Sequence, residues 1–206
     1  MEHGETSTIA AMFQSPPTRL TPSMVQLPFL LSYPDLPIIN LAPGKLLITD
    51  QPTIVSTILG SCVSLCLHNE KFRLGAMCHG ILPRQNKPPL AEDFPYLDTA
   101  VAHMLETITS GFGLAPSSLT VKIFGGASVL QTHMAGSGDL AIGQQNVAAA
   151  LKALARFGLA PHVQKTGGTE GYKIFFNTST GEVFVRRIAP NLAKSFAQTM
   201  SKQATQ

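Results

Sequence analysis

From about residue 45 the apolar and polar positions recur with two periods, one of two residues and one near 3.6, which predicts a packed mixture of strands and helices. Residues 45–49 and 53–57 read as short strands. Residues 62–68 alternate, with Val63, Leu65 and Leu67 on one face and Cys62, Ser64 and Cys66 on the other. Residues 74–82 form a second apolar run, and the polar Asn69-Glu70-Lys71 between the two predicts a β-hairpin. Helical spacing over 96–110 places Leu97, Val101, Met104, Leu105 and Ile108 on one stripe, with Gly111 and Gly113 just beyond. Residues 121–124 are strand-like and run into Gly125-Gly126. A second helix is expected over about 143–157, with Val147, Leu151 and Leu154 inward and Gly158 as its stop signal. Residues 172–176 and 183–188 flank the turn 178–181 as a closing hairpin. The class predicted is α/β (α+β): mixed β-sheets packed together and flanked by helices.

The flanks differ. Seven of the fifteen prolines fall within residues 1–43, a segment that reads either as an extension docking 29–31 and 38–39 on the domain or as a disordered tail. Residues 44–190 carry the domain, and 191–206 form a polar tail that reads as a loose helix. The chain of 206 residues fits one domain with some length to spare. Its charged fraction of 13% argues against disorder throughout, and its net charge of +3 is spread thinly apart from Arg186-Arg187. No basic footprint for nucleic acid is present. The apolar stretch 25–41 is interrupted by Pro28, Pro34, Pro37 and Asp35, so membrane insertion is not expected. Three cysteines are an odd number for a disulfide framework, and residues 1–5 lack the basic-then-apolar pattern of a secretory signal. The expected location is the reducing cytoplasm, with the cysteines kept as thiols.

A two-residue turn centred between Glu70 and Lys71 sets Cys62 directly opposite His79 on the hairpin, where facing Cβ atoms lie about 4.5–5.5 Å apart. A thiol with an ordinary pKa near 8.5 is only about 3% thiolate at pH 7. An adjacent imidazole raises that fraction through a thiolate–imidazolium pair and can then protonate a departing amine. Gly60-Ser61 leaves the backbone open around the sulfur, so N–H groups there could hold an oxyanion, and the hydroxyl of Ser56 or of Thr57 could orient the ring. Cys66 and Cys78 read as small buried hydrophobes. Zinc fits poorly: Cys62 and Cys66 share a strand face but stand about 13 Å apart, and Cys78 and His79 point to opposite faces. His3, His68, His103, His133 and His162 have no thiol or carboxylate at a telling spacing. Gly125-Gly126 and Gly167-Gly168 lack the full phosphate-binding fingerprints and read as tight turns bordering a site.

These residues carry a resemblance. Ser56-Thr-Ile-Leu-Gly-Ser-Cys62-Val, followed by Gly75-Ala-Met-Cys-His79-Gly-Ile-Leu-Pro83, resembles the chemoreceptor glutamine deamidase CheD family. Residues 96–100, 122–128, 142–146 and 166–168 agree with it in order and spacing, so the likeness runs from about residue 45 to 188. It implies a cysteine hydrolase that converts selected glutamines of methyl-accepting chemotaxis receptors to glutamate, with methyl-ester hydrolysis as a side activity in some members. It further implies a fold like the catalytic domain of cytotoxic necrotising factor toxins, no metal or organic cofactor, and the phosphatase CheC as a partner. The family's nucleophile falls on Cys62, its histidine on His79, and its threonine, six positions before the cysteine, on Ser56, with Thr57 next door. Two positions depart from the family: Gly80 replaces a bulky residue, which predicts a wider or looser site, and Tyr172 stands where an arginine is frequent. An adaptor that binds receptors and CheC without turnover is the alternative role.

Overall fold

Side-chain alternation along the strands sorts the molecule into layers. The computed structural model describes residues 28–85, 93–128 and 141–188. One sheet has the order β1 (Ile38–Asn40), β3 (Ile54–Leu59), β8 (Gly171–Asn177), β9 (Val183–Ile188). The other has the order β2 (Leu46–Thr49), β5 (Leu74–Cys78), β4 (Val63–Asn69), β6 (Thr120–Gly125), β7 (Val163–Thr166). Both sheets are mixed: β1 runs parallel to β3 and β7 parallel to β6, while the other pairs are antiparallel. The class is α+β.

Strand β4 is buried at all seven positions because it is central to its sheet and covered on both faces. Its odd-numbered residues Val63, Leu65 and Leu67 meet two helices, α2 (Leu97–Phe112) and α3 (Ile142–Ala155), in the largest core. Its even-numbered Cys66 instead packs with Met77 and Phe124 against Val55, Leu59, Ile174 and Phe176 of the opposing sheet. A third cluster lies on the far side of that sheet, where Ile54 and Phe175 are covered by Ile38 and by Leu30 of the one-turn helix α1 (Pro28–Leu31). Each fully buried leucine, methionine or phenylalanine in these layers contributes roughly 1.5–3 kcal/mol. The inward stripe of α3 is built from Ala149, Ala150, Ala153 and Leu154, with Val147 and Leu151 half-buried at its margin. Small side chains there let α3 lie close against α2.

The hairpin register differs from the two-residue turn expected. Cys66 pairs with Met77 and Asn69 with Leu74, so the loop is Glu70-Lys71-Phe72-Arg73, with Arg73 at a left-handed φ of 50°. The Asn69 side-chain oxygen accepts from the Phe72 N–H at 3.0 Å and closes the loop locally. Four-residue hairpin loops built this way are a common alternative to the two-residue kind. Extrapolated through the bridge between Val63 and Gly80, this register sets Cys62 opposite Ile81 rather than His79. The displacement is an even number of residues, so it leaves both side chains on the same face. The tail 191–206, the segment 1–27, His3 and His133 lie outside the described residues. Among the described residues no helix is long and apolar enough to cross a membrane.

Candidate active site

The first part of the site is decided by parity on β3. Val55 and Leu59 face the opposing sheet, and Thr57, lying between them in the alternation, shares that face. Ser56 goes the other way with Ile54: it pairs with Phe175, is fully buried, and its hydroxyl has no partner among the described residues. The Thr57 hydroxyl reaches the Leu41 carbonyl at 2.8 Å and His79 Nδ1 at 2.7 Å. Ser56, the position implied by the resemblance, is therefore not the residue that touches the imidazole, and Thr57 is.

His79 immediately follows β5 and is fixed by its backbone, which donates to the Lys45 carbonyl at 2.9 Å and accepts from the Gly44 N–H at 2.8 Å. A hydroxyl has one proton to give, and a carbonyl can only accept. With the Thr57 proton on Leu41, the ring nitrogen Nδ1 must donate to Thr57 Oγ1, which assigns the neutral tautomer with Nε2 unprotonated. Nε2 is buried and has no hydrogen-bond partner among the described residues. It is a free basic lone pair. Burial holds the ring down at a pKa of about 4, opposed only in part by the Leu41 carbonyl.

Cys62 immediately precedes β4, half-buried, with its side chain against the cluster between the sheets. Burial pushes its thiol up to about 11, against the pull of its own backbone N–H. The thiolate–imidazolium pair expected at rest is thus replaced by a neutral thiol and a neutral imidazole. Desolvation disfavours both charged forms, and the sulfur is not hydrogen-bonded to Nε2. What the fold does bring together is one inter-sheet face carrying Cys62, His79 and Thr57.

Two glycines close the rear of the cysteine turn. Gly125 adopts a φ of 104°, and a Cβ there would sit 2.2 Å from the Cys62 carbonyl oxygen. The next N–H, of Gly126, donates to that same oxygen at 2.8 Å, and the Ala127 N–H donates to the Gly60 carbonyl at 2.8 Å. The second glycine pair joins in: the Gly167 N–H donates to the Gly125 carbonyl and the Ser128 N–H to the Gly168 carbonyl. Gly80 does not widen the site. A Cβ on it would lie 2.4 Å from Leu97 Cγ, so Leu97 already fills that space, on the helix side of the sheet. Tyr172 pairs with Leu59 on β8, packs against the inter-sheet cluster and carries the Lys165 ammonium 5.5 Å from its ring centre.

The remaining thiols and rings have other surroundings. Cys66 and Cys78 are fully buried on opposite faces of their sheet, and burial pushes both thiols up. His162 Nδ1 accepts from the Val121 N–H at 3.1 Å, His103 stacks on Phe94, and His68 is buried beside Gly181. One buried polar residue near the cysteine turn entered the sequence reading only as the end of the segment 142–146 that agrees with the family, with no role given to it: Asn146, fully buried on α3.

A thiol, a tautomer-fixed imidazole and the hydroxyl it touches thus share the inter-sheet face of an α+β protein. Residues 81–187 match the family model described as CheD chemotactic sensory transduction. The chain is 39% identical over 156 residues to a probable chemoreceptor glutamine deamidase CheD 2 of Geobacter sulfurreducens, covering 76% of this chain and 93% of that protein. It is 38% identical over 149 residues to a probable chemoreceptor glutamine deamidase CheD of Maridesulfovibrio salexigens, covering 69% of this chain and 86% of that one. The chain belongs to the CheD family. Among solved structures, the hypothetical protein YfiH of Bacillus licheniformis superposes with a TM-score of 0.41 at 12% identity, over 59% of this chain and 50% of that one.

Proposed function

We propose that this protein deamidates glutamine side chains of chemoreceptors to glutamate, with Cys62 as nucleophile and His79 as the base and acid that serves it. The observation that carries the reading is the 2.7 Å contact between Thr57 Oγ1 and His79 Nδ1, which leaves Nε2 unprotonated on the face that Cys62 shares. The names of the relatives supply the substrate class.

In this mechanism the Cys62 sulfur attacks the amide carbon of the glutamine while its proton passes to His79 Nε2. Proton and sulfur move together because neither group is charged at rest. Collapse of the tetrahedral intermediate breaks the C–N bond, and the imidazolium gives the proton to the leaving nitrogen, so ammonia departs and a thioester remains. Nε2 then takes a proton from water, whose oxygen attacks the thioester and yields glutamate and the free thiol. The same steps applied to a glutamyl methyl ester release methanol, and the cytoplasm is the compartment in which a free thiol and the receptor signalling helices meet. Incubating the purified protein with a receptor cytoplasmic fragment should convert defined glutamines to glutamate, read by peptide mass. An unmodified fragment after prolonged incubation would refute the reading.

The adaptor reading, in which the same rim holds a glutamine of the receptor or of CheC without turnover, is favoured by the neutral resting thiol and the unjoined Nε2. It expects CheC binding that survives loss of Cys62, with no amide converted.

The opposite facings of Thr57 and Ser56 on β3 allow a separate test. Losing one buried hydrogen bond of about 1.5 kcal/mol corresponds to about a tenfold fall in rate. Thr57→Val is therefore expected to lower kcat about tenfold, and Ser56→Ala to stay within about twofold of wild type. The reverse order in steady-state ammonia release would restore Ser56 as the orienting hydroxyl.

A further inference from the structure

The turn 60–62 has an unusual division of its backbone groups. All three carbonyls are occupied: Gly60 by the Ala127 N–H at 2.8 Å, Cys62 by the Gly126 N–H at 2.8 Å, and Ser61 by Asn146 Nδ2 at 3.0 Å. Among the described residues the N–H groups of Ser61 and Cys62 donate to no main-chain carbonyl, and the Cys62 N–H faces only its own sulfur. Successive free N–H groups in a tight turn form a concavity suited to negative charge.

Asn146 stands apart from the other two donors because it is a side chain reaching in from α3. Its second Nδ2 bond goes to the Ile81 carbonyl at 3.1 Å, two residues beyond His79. One amide group therefore ties the cysteine turn to the segment that follows the histidine. It does so with no exposure to solvent, and its own Oδ1 is left without a partner. In a trans peptide the C=O and N–H point in opposite directions. Pinning the Ser61 carbonyl toward α3 therefore turns the Cys62 N–H away from α3.

We infer that Asn146 is a positioning residue for the deamidation reaction: by holding the Ser61–Cys62 peptide it aims the Cys62 N–H at the oxyanion that forms when the thiol attacks. The inference rests on the proposed role of Cys62. The oxygen it serves is the amide oxygen of the glutamine, which becomes negative only in the tetrahedral intermediate, so the effect belongs in kcat.

The test compares wild type, Asn146→Ser, Asn146→Asp and Cys62→Ala on a receptor cytoplasmic fragment, with rates normalised to folded protein by circular dichroism. A displacement on the order of 1 Å at a reacting centre can cost about 100-fold. Asn146→Ser should lose about that much in kcat with KM within about threefold of wild type. A buried carboxyl facing two carbonyls ionises only well above its ordinary pKa, and while neutral it still has one O–H to donate. Asn146→Asp should therefore regain activity relative to wild type near pH 5 and lose it near pH 8, a readout that a purely structural role does not move. It also serves if Asn146→Ser does not fold. Values of kcat for both variants within about twofold of wild type, or a loss confined to KM, would overturn the positioning role. Activity retained by Cys62→Ala would instead sink the deamidase reading itself, so the two failures are told apart.

Discussion

Cys62→Ala is expected to lower conversion of receptor glutamine to glutamate by about 10⁴-fold or more, because the thioester route disappears with the sulfur and leaves only direct attack by water. The same change at Cys66 should leave most of the activity. Cys66 sits in the dry layer between the sheets beside Met77 and Phe124, so its truncation costs about 1–2 kcal/mol of stability by loss of burial. Peptide mass spectrometry separates the two variants, and equal activity in wild type and Cys62→Ala ends the nucleophile assignment. A labelling experiment tests the resting state of the sulfur. With its thiol pushed up to about 11, Cys62 is about 10⁻⁴ thiolate at pH 7 and gains about tenfold per pH unit above that. Alkylation by a neutral reagent should climb with pH on that slope, after subtraction of the Cys62→Ala background. A rate that is high and flat across the neutral range would show that the thiolate–imidazolium pair exists before substrate arrives.

The sequence made the layers legible because burial follows alternation. Val63, Leu65 and Leu67 could only belong to one face, and the helix stripe Leu97, Val101, Met104, Leu105 had only one way to cover it. The hairpin was legible but its register was not. Asn69 looks like turn chemistry, yet it ends the strand, and the loop closes instead on Arg73 in the left-handed region. The choice between Ser56 and Thr57 was open to a stricter use of the same alternation. Ile54, Ser56 and Ile58 share one parity and Val55, Thr57 and Leu59 the other, and Leu59 is drawn into the inter-sheet core. Three things were out of reach. Strand β7 is exposed at Val163, Gln164 and Lys165 and shows no apolar alternation. Strand β1 is three residues long inside a proline-rich stretch. Asn146 was visible only as the end of the agreeing segment 142–146; its two main-chain acceptors are distant in sequence, and main-chain acceptors leave no mark on residue identity.

Replacing His79 by glutamine is expected to cut deamidation by about 10³-fold, the range for loss of a general base that must also serve as the acid. Glutamine can still donate to Thr57, so the change removes the titrating lone pair more than the local packing. The pH dependence of wild type gives the assignment a second edge. Burial holds the His79 pKa at about 4, so the working neutral ring persists through mildly acid solution, and kcat/KM should fall only as pH drops toward that value. A fall centred between pH 6 and 7, near the ordinary value of about 6.5, would mean that the cation is stabilised at rest by a thiolate partner. Stability follows with a definite sign. The unfolded chain protonates this ring near pH 6.5 and the folded one near 4, so between those values the unfolded state binds more protons and stability declines as pH is lowered. The full span corresponds to about 3 kcal/mol. His68, also pushed down by burial, adds to the same slope in both proteins and cancels in their difference. Denaturant melts of wild type and His79→Gln across this window should therefore converge toward acid pH, with wild type losing about 3 kcal/mol more than the variant. Parallel curves would place His79 in an environment where its charged form is as comfortable as in water, which is incompatible with a buried base waiting for the thiol proton.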